Sequence, residues 1–388
     1  MKIVLFTHPS FLEHQSMPRY ANMLLTGMRE RGHEVIVWSP KARFYKLPLM
    51  KSLKKWLGYI DQYIVFPIEV KFKLLRNSDD ALFVFADQAL GPWVPLVNNK
   101  KHVVHCHDFL ALKSALGNIP ENPTSLTGKK YQNYIRNGFS KGKYFISISQ
   151  KTQQDLHELH LGKIESSAVC YNGLNRTFNP LSPTEVRTML GNKLNLSLSK
   201  GYIMHIGGNQ YYKNRKGVIE IYESWRSISK KNFPLLMIGS EPTNELLELQ
   251  KKSAVKNDIH FVTNLADEDV NIAYSGAKCL LFPSLDEGFG WPIIEAMASG
   301  CLVITTNRSP MNEVGGSAAF YIDKKPSDDI FFKKWKEDSA KMLEKVVSLN
   351  KIQRAVMIEN SLKQSQKFTA EFSLNAIEVV YKEITQKL

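Results

Sequence analysis

Residues 283–301 read Pro-Ser-Leu-Asp-Glu-Gly-Phe-Gly-Trp-Pro-Ile-Ile-Glu-Ala-Met-Ala-Ser-Gly-Cys. Two carboxylates, Glu287 and Glu295, lie on either side of a Gly-Phe-Gly turn and the start of a helix. Glycines let the backbone turn sharply and expose its N–H groups, and a helix N-terminus attracts phosphate. Carboxylates accept hydrogen bonds from hydroxyls. Pro292 suits a first helical position, where its missing N–H costs nothing. The stretch reads as a site for a phosphorylated, hydroxylated ligand. Glu287 is expected in the loop and Glu295 in about the first turn of a helix over 292–298, both lining one pocket.

Outward from this stretch, short apolar runs alternate with helical periodicity. Strands are predicted at 278–282 and 302–305, and before them at 202–206, 234–238 and 259–262, with helices at 217–228, 244–253 and 267–275. The first half repeats the alternation. Strands are expected at 2–6, 35–38, 81–85, 102–105, 144–148 and 167–171, and a helix over 19–31 that Gly32 stops. Such alternation predicts α/β architecture, two doubly wound parallel sheets in tandem with a cleft between them. Ligands of these sheets bind beyond the carboxyl ends of the strands. The polar stretch 174–201, with Pro180 and Pro183, reads as the linker, and 343–388 as largely helical with a break near 368–373.

The 388 residues suffice for two domains, and 43% hydrophobic content supplies real cores. Cys106, Cys170, Cys279 and Cys301 show no Cys-x-x-Cys spacing, which fits a reducing cytoplasm and neither a disulfide frame nor a zinc site. The N-terminal apolar run is too short for a signal peptide and no run is long enough to span a bilayer. The net charge is +14, and the segment 41–76 carries half of it. Its nine basic residues (Lys41, Arg43, Lys46, Lys51, Lys54, Lys55, Lys71, Lys73, Arg76) face two acids, Asp61 and Glu69. Leu47, Leu49, Met50, Leu53, Trp56, Leu57 and Tyr59 are interleaved with them. A basic amphipathic segment of this kind predicts docking on an anionic membrane surface from the cytoplasmic side. No helix-turn-helix, zinc or ribonucleoprotein pattern accompanies the charge, so nucleic acid is not an expected partner.

The 283–301 stretch closely resembles the donor-site motif of glycosyltransferase family 4 (glycosyl transferases group 1), retaining sugar transferases of GT-B fold. Glu-Gly-Phe-Gly, then Pro, then Glu-Ala are met residue for residue. The likeness extends to Gly32-His33-Glu34-Val35 at the first helix-to-strand turn, Ser147-Ile148-Ser149-Gln150 with Thr152, and Asn172-Gly173 at the linker entry. It implies an acceptor-side domain over 1–175, a nucleotide-sugar domain over 176–372, and a C-terminal helix, 373–388, crossing back to the first domain. It implies transfer of a sugar from a UDP- or GDP-linked donor to a hydroxyl of a saccharide or lipid-linked acceptor, with retention and without a metal or other cofactor.

Residue by residue, the resemblance gives Glu295 the ribose hydroxyls and Glu287 the transferred sugar, with the amides of Gly288, Phe289 and Gly290 holding sugar hydroxyls or phosphate. The donor diphosphate falls to the loop from His205 to Gly217, where Gly208 admits the backbone and cations neutralise charge. Lys213 matches the family's lysine. Asn209 stands where the family's arginine is common, so Arg215 or Lys216 is expected to supply the second charge. The base is expected over Gly239 and Ser240 and near Asn264. On the acceptor side, His107 and Asp108 resemble the family's His-Asp pair, with His107 on the transferred sugar. His105 reads as structural, and no further ligand spacing supports a metal. The first loop lacks the family's Gly-Gly pair, and Ser10, Ser16 or Arg19 is expected to substitute. That departure and Asn209 are what a catalytically silent partner subunit, binding a polypeptide or a sister transferase, would show; Glu287, Glu295 and Lys213 favour the enzyme.

Overall fold

The computed structural model describes residues 1–11, 16–48, 50–76, 80–174 and 176–387. Leu49 and the side chains of Ser16, Lys51 and Arg76, named above, lie outside what is described. The chain forms two compact units, Met1–Asn175 with Thr369–Leu388, and Arg176–Phe368.

The first unit holds a parallel sheet of β1 (Lys2–Phe6), β2 (Glu34–Trp38), β3 (Ala81–Phe85), β4 (His102–Cys106), β5 (Tyr144–Ser147) and β6 (Ser166–Val169), in the order β2-β1-β3-β4-β5-β6. Parallel strands covered on both faces are apolar almost throughout, and every residue of β3 and β4 is buried. Alternation splits them between two cores. Phe6, Phe83 and Phe85 pack with Phe66, Trp93 and Phe139. Ile3, Leu5, Leu82 and Val84 pack with Tyr20, Leu24 and Met28 of the Ser16–Glu30 helix. Leu374, Ile377, Tyr381 and Ile384 of the Ala370–Lys387 helix complete this second core, so the chain's end belongs to the first unit. Each such side chain contributes about 1.5–3 kcal/mol by leaving water. The approach is close: a Cβ on Gly27 would meet Leu374 Cδ1 at 2.3 Å.

His105 is fully buried, with Nδ1 2.7 Å from the Tyr20 hydroxyl and Nε2 2.7 Å from that of Tyr381. Burial pushes its pKa down to about 3, so it is a neutral tie between two helices. Among the described residues no group of three or more His, Cys, Asp or Glu is placed to hold a metal.

The second unit holds β7 (Ile203–Gly207), β8 (Leu235–Gly239), β9 (Ile259–Val262), β10 (Cys279–Phe282), β11 (Leu302–Thr306) and β12 (Phe320–Ile322), all parallel, in the order β12-β11-β10-β7-β8-β9. The expected linker contains a helix, Pro183–Leu194. Pro183 starts it rather than breaking it, because the first helical N–H needs no partner. Asn195 ends it in the left-handed conformation, φ 52°. β12 and the part of the Asp329–Val347 helix before residue 343 were not read from the sequence, and the expected helical stretch 343–388 comprises the end of that helix, Lys351–Ser365 and Ala370–Lys387. The basic segment folds as Lys51–Ile60, a π-helical turn Asp61–Val65, and Phe66–Arg76. Asp61 is buried and accepts from the backbone N–H groups of Arg43, Phe44 and Tyr45 at 2.9–3.0 Å, so it fixes that turn instead of offsetting surface charge.

Candidate active site of the second unit

The loop after β10 is fixed before any ligand arrives. The Thr305 and Thr306 hydroxyls donate to Phe282 O and Ser284 O at 2.9 and 2.7 Å. From the β7 side, Asn214 Nδ2 donates to Pro283 O at 2.9 Å, and Leu285 N donates to Tyr212 O at 2.7 Å. Asn214 is left-handed, φ 50°, and caps the Arg215–Ile228 helix by accepting from Gly217 N. These contacts join the loops of two adjacent strands, β7 and β10, where the order of this sheet reverses. Such a reversal is where doubly wound sheets bind ligands.

At that point Lys213 Nζ donates to both Glu287 oxygens, at 2.8 and 2.9 Å, and the Ser284 hydroxyl donates to Oε1 at 2.9 Å. The pair is largely out of water, with side-chain exposures of 16% and 7%. Breaking one side of such a pair leaves an uncompensated buried charge. Gly290 follows at φ 104°, which an L side chain rarely adopts, and precedes the Trp291–Ala298 helix without supplying a side-chain cap. Phe289 is buried against Phe368, ring centroids 5.8 Å apart, and anchors the turn. Glu295 lies in the second turn of the helix, later than expected, and accepts from the Tyr274 hydroxyl at 3.0 Å. Pro292 is the second helical residue, not the first.

Asn209 does more than replace an arginine. Its side-chain oxygen accepts from Arg215 Nη1, and its nitrogen donates to Glu241 O at 2.7 Å. Arg215 Nη1 also donates to Ser240 O at 2.9 Å. Arg215 is 4% exposed, and burial lowers its pKa. Its Nε and Nη2 have no partner among the described residues. Lys216 is set apart, half exposed and paired with Glu245 at 3.1 Å. Gly239, φ 133°, is required: a Cβ there would stand 2.1 Å from Gly207 O. A Cβ on Gly208 would meet only the flexible Gln210 side chain. Asn264 is left-handed, φ 57°, just past β9.

Ser284, Asn214, Tyr274 and His205 had no assigned role in the sequence. The Asn-x-x-Gly spacing of 214–217 was the one signal for a cap. His205 donates from Nδ1 to Leu281 O at 3.0 Å, while its buried Nε2 has no partner among the described residues. Burial pushes its pKa down to about 3, so it stays neutral beside Arg215 and Lys213.

His107, Asp108, Ser10 and Arg19 belong to the first unit. His107 is buried past the end of β4; its Nε2–H donates to Ala86 O at 2.8 Å, and burial lowers its pKa. Asp108 Oδ1 accepts from Leu110 N at 3.1 Å. Ser10 lies in an exposed turn and Arg19 on the exposed side of its helix. A pair not anticipated joins the ends of β1 and β3: His8 Nε2 stands 2.8 Å from Asp87 Oδ2.

The glycosyl transferases group 1 family profile matches residues 188–364. An O-antigen chain mannosyltransferase B of Escherichia coli is 25% identical over 198 residues, 50% of this chain and 51% of the relative, so the match spans about half of each. Across the whole chain, a glycosyltransferase structure from Rickettsia africae superposes with a TM-score of 0.69 at 18% identity, covering 100% of both chains. Anabaena Alr3699/HepE, solved in complex with UDP and glucose, gives 0.70 at 16% identity over 99% of this chain and 100% of that one. The fold is therefore that of the GT-B glycosyltransferases, and the likeness to the glycosyl transferases group 1 family lies in residues 188–364.

Proposed function

We propose that this chain is a retaining glycosyltransferase that moves a hexose from a UDP- or GDP-linked donor to a hydroxyl of a saccharide or lipid-linked acceptor in cell-surface polysaccharide assembly. The observation that carries this reading is the Lys213–Glu287 pair at the strand reversal of the second sheet. A donor diphosphate would draw Lys213 onto its oxygens and release Glu287 to accept from hydroxyls of the sugar. Arg215, with two guanidinium nitrogens that have no partner among the described residues, would supply the second charge. Glu295 would take the ribose diol. The bond from the anomeric carbon to phosphate breaks, the bond to the acceptor oxygen forms on the same face, and the acceptor proton passes to the leaving phosphate. Fixed cations that stabilise this phosphate supply the main catalytic effect. Mannose is the sugar we favour, because the matched Escherichia coli relative is named a mannosyltransferase.

On this reading the acceptor would lie at an anionic membrane surface, which the basic segment 41–76 supports. Trp56, Ile64, Ile68, Phe72 and Leu75 are exposed along it, the last four at helical spacing and amid its lysines. Among the described residues no helix is long and apolar enough to cross a membrane. Flotation with phosphatidylglycerol vesicles, lost in Phe72→Ser/Leu75→Ser and absent with phosphatidylcholine, checks this.

The test of the donor reading is thermal unfolding with UDP, GDP, ADP and their sugars. At a hundred times Kd, one nucleotide series should stabilise by about 2.7 kcal/mol, an effect lost in Glu295→Ala. No shift with any of them at millimolar concentration would overturn the reading in favour of a silent subunit.

A further inference from the structure

The first unit carries a ladder of five aromatic rings built from segments far apart in sequence. Trp56 and Tyr59 lie on the Lys51–Ile60 helix and Tyr63 on the π-helical turn that follows, while Tyr131 and Tyr134 lie on the Leu126–Phe139 helix. Ring centroids stand 5.8 Å apart from Trp56 to Tyr59, 5.6 Å from Tyr59 to Tyr131 and 5.6 Å from Tyr63 to Tyr134. The Tyr63 and Tyr131 hydroxyls, 68 residues apart in sequence, share a hydrogen bond of 2.7 Å that joins the two rows. The middle of the ladder is half-buried and its ends are open: Trp56 is 60% exposed and Tyr134 47%. Packing between the helices accounts for the middle rings. It does not account for the ends, and a contiguous aromatic surface, unlike a lone exposed side chain, marks an interaction site.

Charge names the class of partner. Residues 35–60 carry six cations and no acid, and residues 122–154 again carry six and no acid. Arg43, Lys143 and Lys151 are paired with Glu69, Glu165 and Asp155. The cations adjoining the rings are not: Lys55, Lys129 and Lys130 are exposed, with no acidic partner among the described residues. Lys55 Nζ lies 5.8 Å from the Tyr59 ring centroid. The acid nearest the first row in sequence, Asp61, is buried on backbone N–H groups and neutralises none of them.

We propose that the ladder binds a saccharide that carries a phosphate, its sugar rings against Trp56, Tyr59 and Tyr134 and its phosphate met by Lys55, Lys129 and Lys130. A pyranose presents a C–H face that packs on an aromatic ring, and lysine brings a point charge to phosphate. Single-stranded nucleic acid uses the same two chemistries, bases on rings and phosphates on cations. The choice of a saccharide rests on the transferase reading, on which the ladder is where the acceptor is held. The phosphate belongs either to a lipid carrier or to a free glycosyl phosphate.

The experiment is calorimetric titration of the full chain, without nucleotide, with mannobiose 1-phosphate, with mannobiose and with an oligothymidylate. The glycosyl phosphate is expected to bind, and mannobiose to bind more weakly. Trp56→Ala and Tyr134→Ala should each weaken the glycosyl phosphate about two- to tenfold, and Lys129→Gln/Lys130→Gln should weaken it too. Both rings are exposed, so their removal should hardly move the melting temperature. The same sugar phosphate esterified to a short alkyl chain separates the two sources: equal affinity assigns the site to a glycosyl phosphate in general, higher affinity to a lipid-linked one, and either supports the proposal. No binding of either form, binding unmoved by both aromatic variants, or tighter binding of the oligothymidylate would each overturn it. So would aromatic variants that weaken only flotation with phosphatidylglycerol vesicles, which would make the ladder part of a membrane surface. Failure of the donor reading shows separately, as absence of nucleotide stabilisation.

Discussion

Each sheet carries one buried acid–base pair where its strand order reverses: His8–Asp87 between β1 and β3, and Lys213–Glu287 between β7 and β10. The side chains are nearly equally withdrawn from water, 14% and 9% exposed against 16% and 7%. Topology makes the two places equivalent; chemistry separates them. Lysine holds a compact charge with three donors, suited to a phosphate. Histidine offers instead a planar ring with two directional nitrogens. The backbone differs in the same sense. β7 and β8 end in Gly207 and Gly239, which lie against each other, whereas Thr7 and Ala86 follow β1 and β3. The glycines absent from the first loop are present in the second unit, beside the cation.

The largest effect should come from the lysine pair. Glu287→Gln is expected to cut turnover by roughly 10²–10³-fold without loss of fold. Lys213→Met should also cost about 3–5 kcal/mol of stability, because Glu287 is left buried and unpaired. The double variant should recover much of that stability and none of the turnover; recovered turnover would make the pair structural. Gly239→Ala comes next, losing about 1–3 kcal/mol to overpacking against Gly207 O and a disfavoured φ, with a weaker nucleotide shift in the same melts.

Asp87 tests the other pair. Burial alone would raise its pKa, but the hydrogen bond and charge of His8, the charge of His107 and the Ala89 N–H hold it below the ordinary 3.8. A depressed carboxyl contributes stability above its unfolded pKa and loses it as pH falls through the folded value. Asp87→Asn should therefore cost about 1–3 kcal/mol at neutral pH, a difference that fades in urea titrations run below pH 3.8. A pH-independent loss would refute the charge account. The smallest effect belongs to Glu344, far from either reversal in sequence. Burial opposes its ionisation, yet donors from Lys231, Ser229, Ser348 and Trp225 lower its pKa from 4.5 to about 2. Glu344→Gln should flatten the acid limb of the second unit's stability between those values, with turnover at neutral pH unchanged.

The alternation of apolar runs and the Gly-Phe-Gly turn with its two acids were legible because each depends on local spacing, whereas Lys213 was singled out by the family resemblance. Period-two burial marks a strand, and a left-handed Gly290 marks a turn, whatever lies across the fold. The Pro183–Leu194 helix was missed because a proline at a helix start and a proline in a linker look alike until the hydrogen bonds are seen. His8–Asp87, Arg215 on Asn209 and Ser284 on Glu287 were decided by tertiary structure alone. The first joins residues 79 apart in sequence, and only strand order makes them neighbours. Sequence determined which residues could carry charge and turn the backbone; the three-dimensional fold decided which charges meet, because a pair is worth its desolvation only where the packing holds both partners out of water.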